Sequence, residues 1–199
     1  MDRTVAAVAI AGALCITPLI GGCVKSGTAT TQGAESSSEA SAPAIEVGQT
    51  VTVGDSELTI TGLEWCNEFK QGNAHVSAGN VGGETLLRVT ATVKNYSTHK
   101  LCIDFGIKAP LVINDKYEVG ANVTPVDDVS SLDTVAISFY YPKSNELAES
   151  FENGQVTFEF HAATTDKISD VSSIDNLSDG TQVYYAKETL GTCVLDVTK

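Results

Sequence analysis

From residue 50 onward, apolar side chains recur on every second position in short runs, and no stretch sustains a 3.6-residue period. Val51 and Val53 alternate with Thr50 and Thr52, Gly54-Asp55 supplies a turn, and Leu58 and Ile60 alternate with Thr59 and Thr61. Two strands about a tight turn, with one face buried, are the expected result. The period slips at Gly62, ahead of Leu63 and Trp65, which predicts a β-bulge. Residues 67–83 are polar and rich in glycine and alanine, and read as a loop. The clearest strand follows: Leu87, Val89, Ala91 and Val93 point one way, Arg88, Thr90, Thr92 and Lys94 the other, as in a central strand.

Asn95-Tyr96-Ser97 forms the next turn. Leu101, Ile103, Phe105 and Ile107 alternate again, predicting a strand that leaves Cys102 on its opposite face. After Pro110, Leu111-Val112-Ile113 runs to a turn at Asn114-Asp115, and residues 116–123 continue as a weaker strand. An acidic loop, residues 125–133, leads to Val135, Ile137, Phe139 and Tyr141, a strand closed by Pro142. Ser144 is placed to cap a short helix that reaches Ser150. Asn153-Gly154 turns the chain into Val156, Phe158 and Phe160. Residues 162–178 are polar and acidic; then Gln182-Val-Tyr-Tyr-Ala186 and Cys193-Val-Leu-Asp-Val197 flank Glu188-Thr-Leu-Gly191, which reads as a C-terminal hairpin. Many short strands with regular turn signals make this an all-β chain, a β-sandwich with a hairpin extension.

The first residues follow another pattern. Arg3 precedes an apolar run over residues 5–20, and Ile20-Gly21-Gly22-Cys23 closes it. The run is shorter than the ~20 residues a membrane-spanning helix needs and reads as a secretory signal. Ile20, Gly21 and Gly22 before Cys23 resemble the bacterial lipoprotein box, which implies that Cys23 is acylated and becomes the mature N-terminus. Residues 25–44 are Ser, Thr, Ala, Gly, Glu and Gln with little else, too polar to order themselves. The expected organisation is a signal peptide over 1–22, a disordered tether over 23–44, the sandwich over 45–162 and an extension over 163–199 that packs on it. The expected location is the outer face of the cytoplasmic membrane, with the membrane as partner through the lipid anchor.

The stretches Gly48-Gln-Thr-Val-Thr-Val-Gly-Asp55, Leu58-Thr-Ile-Thr61 and Leu87-Arg-Val-Thr-Ala-Thr-Val-Lys-Asn95 resemble an immunoglobulin-like domain of unknown function. That domain is found in Gram-positive lipoproteins and is similar to a secreted mycobacterial immunoprotective antigen. Val112-Ile-Asn-Asp-Lys-Tyr117 and Ser138-Phe-Tyr-Tyr-Pro-Lys143 are similar to its middle hairpin and its late strand. Tyr96 and Lys116 stand where the family has glycine, so the departures fall on turns. The resemblance covers about residues 47 to 162, implies an immunoglobulin-like sandwich, and brings no catalytic residue with it.

Composition narrows the partners. The net charge is −13, from 25 acidic and 12 basic residues. Such a surface repels phosphate backbones, so nucleic acid is not an expected partner. Of five cysteines, Cys15 leaves with the signal and Cys23 carries lipid, leaving Cys66, Cys102 and Cys193 as disulfide candidates in an oxidising compartment. If the strand ending at Trp65 pairs with residues 86–95, Cys66 and Cys102 lie at opposite ends of that pair, too far apart for a bridge. Cys193 is therefore expected to be bridged, with Cys66 or Cys102 as its partner.

Chemistry is sparse. His75, His99 and His161 have no metal-ligand spacing, and the chain has no Gly-x-Ser-x-Gly elbow and no Ser-x-x-Lys on a helix. Asp175-Asn-Leu-Ser-Asp-Gly180 opens like a calcium loop but carries Leu177 at position three and Ala186 at position twelve. Asp127, Asp128 and Asp133 form an acidic group in the loop at 125–133. Tyr140, Tyr184 and Tyr185 are candidates for exposure, though packing of the C-terminal segment accounts for them. No catalytic residue, cofactor or metal site is assigned. The expected function is a non-enzymatic extracytoplasmic module that binds a protein or ligand, with loops 67–83 and 125–133 as its surfaces. The alternatives are a surface hydrolase with a spatially assembled site and an accessory subunit of an export or cell-wall machine.

Overall fold

The hairpin expected about Gly54-Asp55 opens the fold. β1 (Thr50–Val53) and β2 (Ser56–Cys66) pair antiparallel, with Val53 opposite Ser56. The structure is a computed structural model and describes residues 42–124 and 128–198. Ile20, Gly21, Gly22, Cys23 and Asp127 lie outside the described residues. The bulge lies where the period slips: β2 changes register between Ile60 and Gly62. A β-carbon at Gly62 would stand 2.7 Å from the Thr90 hydroxyl, so a larger residue there would displace the Thr90 side chain.

Residues 67–83 are not a loop. They form β3 (Glu68–Gln71) and β4 (Ala74–Ser77), joined at Gly72 with φ +56°, and a 3₁₀ turn, Ala78–Val81. Each strand buries one large apolar residue, Phe69 or Val76, too few to establish a period. β5 (Thr85–Asn95) is the expected central strand, and its four inward residues are fully buried.

Residues 101–107 depart from expectation. Ile103–Gly106 is one helical turn, α1, followed by the two-residue β6 (Ile107–Lys108). Ile103 and Ile107 are four apart, a spacing that suits one face of a helix as well as alternation, and both are buried. The segment crosses from one sheet to the other, which a helical turn accomplishes in few residues.

β7 (Leu111–Ile113) and β8 (Tyr117–Val119) form a hairpin about Asn114 and Asp115, at φ 50° and 53°. Two left-handed residues in succession are a type I′ turn, which asparagine and aspartate tolerate without glycine. β9 (Asn122–Thr124) precedes β10 (Thr134–Lys143), which runs through Pro142 instead of stopping there. Ser144 caps α2 (Asn145–Glu149), its hydroxyl accepting the Leu147 N–H at 3.2 Å. Asn153-Gly154 is not a turn but the start of β11 (Asn153–Thr164). β12 (Val171–Asn176) and β13 (Gln182–Thr198) complete the chain.

The strands form two five-strand paths, β1-β2-β5-β10-β9 and β12-β13-β11-β7-β8, with β6 added to β11. Without β1, β6 and β12, these are the ABED and GFCC′ sheets of an immunoglobulin-like sandwich. Phe139 and Phe158 meet edge to face across the two layers, their centroids 5.4 Å apart. The C-terminal hairpin exists, but its strands are β12 and β13. The segments flanking Glu188-Thr-Leu-Gly191 are one continuous strand, β13, which pairs with β11 from Asn153–Thr198 to Thr164–Tyr184. Residues 163–199 are therefore not an extension laid on a finished sandwich; they supply a strand from within its second sheet. Tyr184 and Tyr185 are buried there. Tyr140 packs edge to face under Phe69 of the β3–β4 hairpin, 5.6 Å away.

That hairpin covers the outer face of the first sheet through Arg88. Its guanidinium stacks on Phe69 at 4.1 Å and donates to Glu64 at 2.8 Å, Gln71 at 2.9 Å and Ser138 at 3.0 Å.

The expected bridge to Cys193 is absent: Cys66, Cys102 and Cys193 are all free thiols. Cys66 is opposite Leu86 at the start of β5, and Cys102 follows the end of that strand, roughly 30 Å away at strand rise. Cys193 faces the core beside Phe158, where burial pushes its thiol up to about 11. Packing, not a covalent tie, holds β13.

Lys143 is the anomaly of the core. It faces inward at the end of β10, only 4 % exposed, with no ion pair among the described residues. Burial lowers its ammonium from 10.5 to about 8. Below pH 8 the folded chain carries a buried charge; between pH 8 and 10.5 the unfolded chain binds more protons, so stability rises with pH in that window. Lys143→Met is expected to stabilise the domain by about 1–2 kcal/mol at pH 7, a gain that fades by pH 10.5. Thermal melts of both proteins at the two pH values check this, and a pH-independent gain would refute it.

Candidate functional site

Three connections meet at one end of the sandwich: residues 96–106 between β5 and β6, residues 128–133 before β10, and residues 165–181 around β12. This follows from the topology, which places the B–C, D–E and F–G connections of an immunoglobulin-like fold together. Asn95, the last residue of β5 and fully buried, ties the first two. Its amide donates to the carbonyls of His99 at 2.8 Å and Val129 at 3.0 Å, and its oxygen accepts from the Ser97 N–H and hydroxyl at 2.9 and 2.7 Å. Leu101 and Val129 then exchange backbone hydrogen bonds at 3.0 and 2.8 Å. β13 fixes the third connection: Tyr185 receives the Cys102 backbone N–H on its phenol oxygen at 2.9 Å, and Asp175 on β12 pairs with Val183.

Each connection delivers one ligand-type side chain to the same point. The Cys102 thiol and the Asp128 and Asp175 carboxylates present atoms that all lie within 4.8 Å of one another, the only such group among the described residues. The thiol is buried, while both carboxylates reach solvent. Burial pushes the Cys102 thiol above its usual value; the backbone N–H groups of Phe105 and Asp104 pull it down, and the two aspartates push it up again. Burial likewise raises the phenol of Tyr185, which feels the charges of Cys102, Asp175 and Asp128. A thiol held protonated in this way is a poor nucleophile. Two carboxylates converging on it form a concentration of negative charge that a cation relieves.

The expected surfaces are divided by the fold. Of the segment at 125–133, the described residues 128–133 belong to this end, whereas 67–83 is the covering hairpin of the first sheet. His75 meets Glu68 at 3.1 Å on that hairpin, with both side chains exposed. His161 presents Nδ1 to the Ala186 carbonyl at 2.9 Å and lines a groove of about 180 Å³ with Asp55, Ser56 and Ser97. Among the described residues no imidazole hydrogen-bonds to a serine hydroxyl. The calcium-like stretch is a closed turn, with Asp179 accepting the Thr181 N–H at 2.9 Å. Asp175 escapes it, because β12 carries its side chain toward Cys102 and Asp128. Nothing in the spacing of Cys102, Asp128 and Asp175 announces the group; only the pairing of connections by the sandwich topology would have found it.

No family model matches this sequence, and no curated protein matches it either. In structure it is similar to an uncharacterised β-sandwich protein from Clostridium difficile 630, with a TM-score of 0.52 and 15% identity over 79% of this chain and 96% of that one. A conserved hypothetical protein from Bacillus anthracis aligns with a TM-score of 0.42 and 10% identity over 57% and 88% of the two chains. The first likeness concerns the fold: this chain is a β-sandwich.

Proposed function

We propose that this chain is a bacterial lipoprotein, anchored through Cys23 to the outer face of the cytoplasmic membrane, whose sandwich is a non-enzymatic binding module. The observation that carries the reading is the end where residues 96–106, 128–133 and 165–181 converge. Three connections of a rigid sandwich meet there around a charged group, the arrangement by which such scaffolds present recognition surfaces. The apolar start of the chain and the Ile20-Gly21-Gly22-Cys23 stretch support the anchor, and the polar residues 25–44 give the module reach. The hydrolase alternative has the groove around His161, but not a serine hydroxyl on its ring among the described residues.

Two measurements test this proposal. Cells fed an alkyne fatty acid are expected to label the wild type and not Cys23→Ala; equal labelling would refute the anchor. A photo-crosslinking residue at Ser130, on the converging end, is expected to yield a discrete adduct in cells. The same residue at Tyr117, on the hairpin near the start of β11, is expected to yield none. Adducts of equal yield from both positions, or from neither, would refute that end as the binding surface.

A further inference from the structure

We propose that Cys102, Asp128 and Asp175 bind one thiophilic divalent cation, of which zinc is the type. The inference deepens the binding reading above and rests on the same end of the fold.

The donor set selects the ion. Thiolate sulfur favours zinc and its transition-metal neighbours and disfavours calcium and magnesium, which prefer oxygen alone. Ligand bonds of about 2.3 Å to sulfur and 2.0–2.2 Å to oxygen set neighbouring ligand atoms about 3.5 Å apart on a tetrahedron. The present spread, within 4.8 Å, lies about 1 Å from that geometry. Each ligand sits on a separate connection, so small movements of the two solvent-facing aspartates close the site.

A fourth group borders the three ligands. Tyr185 is fully buried, and its phenol stands at the cluster, 2.9 Å from the Cys102 nitrogen. That contact uses the phenol oxygen as an acceptor. With an ion present, the phenol is placed to donate to a coordinated carboxylate or to water on the ion, the supporting role that orients metal ligands. As the metal–sulfur bond forms, the thiol proton passes to solvent, so affinity rises with pH. Three protein ligands leave a fourth position for water or for an incoming donor atom of the module's ligand.

The test is a cobalt titration of the chelator-treated full-length protein in detergent. One equivalent of Co²⁺ is expected to produce the thiolate-to-cobalt charge-transfer absorption, and one equivalent of Zn²⁺ to abolish it. Cys102→Ser is expected to lose the band, while Cys66→Ser keeps it. Asp175→Asn is expected to weaken binding by about 100-fold or more, and Tyr185→Phe by about 10- to 100-fold. Should Cys102→Ser fail to fold, Asp175→Asn, altered at a solvent-facing group, supplies the same readout. Absence of the band, its persistence in Cys102→Ser, its loss in Cys66→Ser, or displacement of cobalt by calcium would each overturn the proposal. The titration is decided on the purified protein and the binding surface by crosslinking in cells, so either can fail without the other.

Discussion

A chain ending at Thr164 is expected not to fold. The cut removes β12 and β13, and β13 lies between β12 and β11 in the second sheet. β11 would lose its partner along its whole length, from Asn153 to Thr164. Val183, Tyr185, Cys193, Leu195 and Val197, all buried, would leave the core. At about 1.5–3 kcal/mol for each large apolar side chain, their loss amounts to roughly 10 kcal/mol, comparable to the whole stability of an ordinary domain. The entering chain loses its support too, because Ile45 and Val194 are joined by a backbone bond of 2.7 Å. Circular dichroism and amide proton dispersion of the truncated chain check this. A folded fragment would restore the boundary near residue 162 that the strand pattern alone suggests.

Asn95→Ala is expected to destabilise the domain by about 3 kcal/mol, lowering the midpoint of thermal unfolding by roughly 10 °C. Asn95 is fully buried and makes four side-chain hydrogen bonds, which alanine cannot replace. The His99 and Val129 carbonyls would each lose a donor, and the Ser97 N–H an acceptor. The damage is expected to be directional. Hydrogen exchange at Leu101 and Val129, whose backbones pair across the two connections, should accelerate beyond what the global loss explains, whereas β2 and β11 should follow the global change. Uniform acceleration would show that Asn95 contributes only to overall stability and does not hold Cys102 and Asp128 in register.

The parts of the fold that were legible in the sequence share one property. β1, β2, β5, β7, β10 and the centre of β11 each bury one face and expose the other to water or a thin cover, so their side chains alternate with the pleat. Gly62 interrupts that alternation and marks the bulge. Ser144 signals its helix through a local hydrogen bond. The failures are equally specific. β3 and β4 are four residues each with one buried anchor apiece, below the length at which a period can be seen. α1 was hidden because Ile103 and Ile107 satisfy helix and strand alike. β13 was divided because residues 187–190 are exposed where the strand passes two register shifts on β11, so a polar interval sits inside one continuous strand. The disulfide expectation failed with it: a hairpin standing alone would need tying down, but a strand paired along its length with β11 does not.

The sequence by itself determined what depends on near neighbours: strand alternation, turns, one bulge, one helix cap and a net negative charge. The Ile20-Gly21-Gly22-Cys23 stretch, on which the proposed anchor rests, is likewise a linear pattern that needs no fold to be read. The tertiary structure alone decided which distant segments share an end. Cys102, Asp128 and Asp175 are far apart in the chain, and each looks ordinary in its own segment: a thiol after a turn, an acidic loop residue, and the first aspartate of a poor calcium loop. They meet because the two sheets pair by burying apolar faces, and that packing fixes where every connection must fall. Buried surface drives the assembly without regard to the polar residues it brings together, so the grouping of those residues is written in the topology and not in any local spacing.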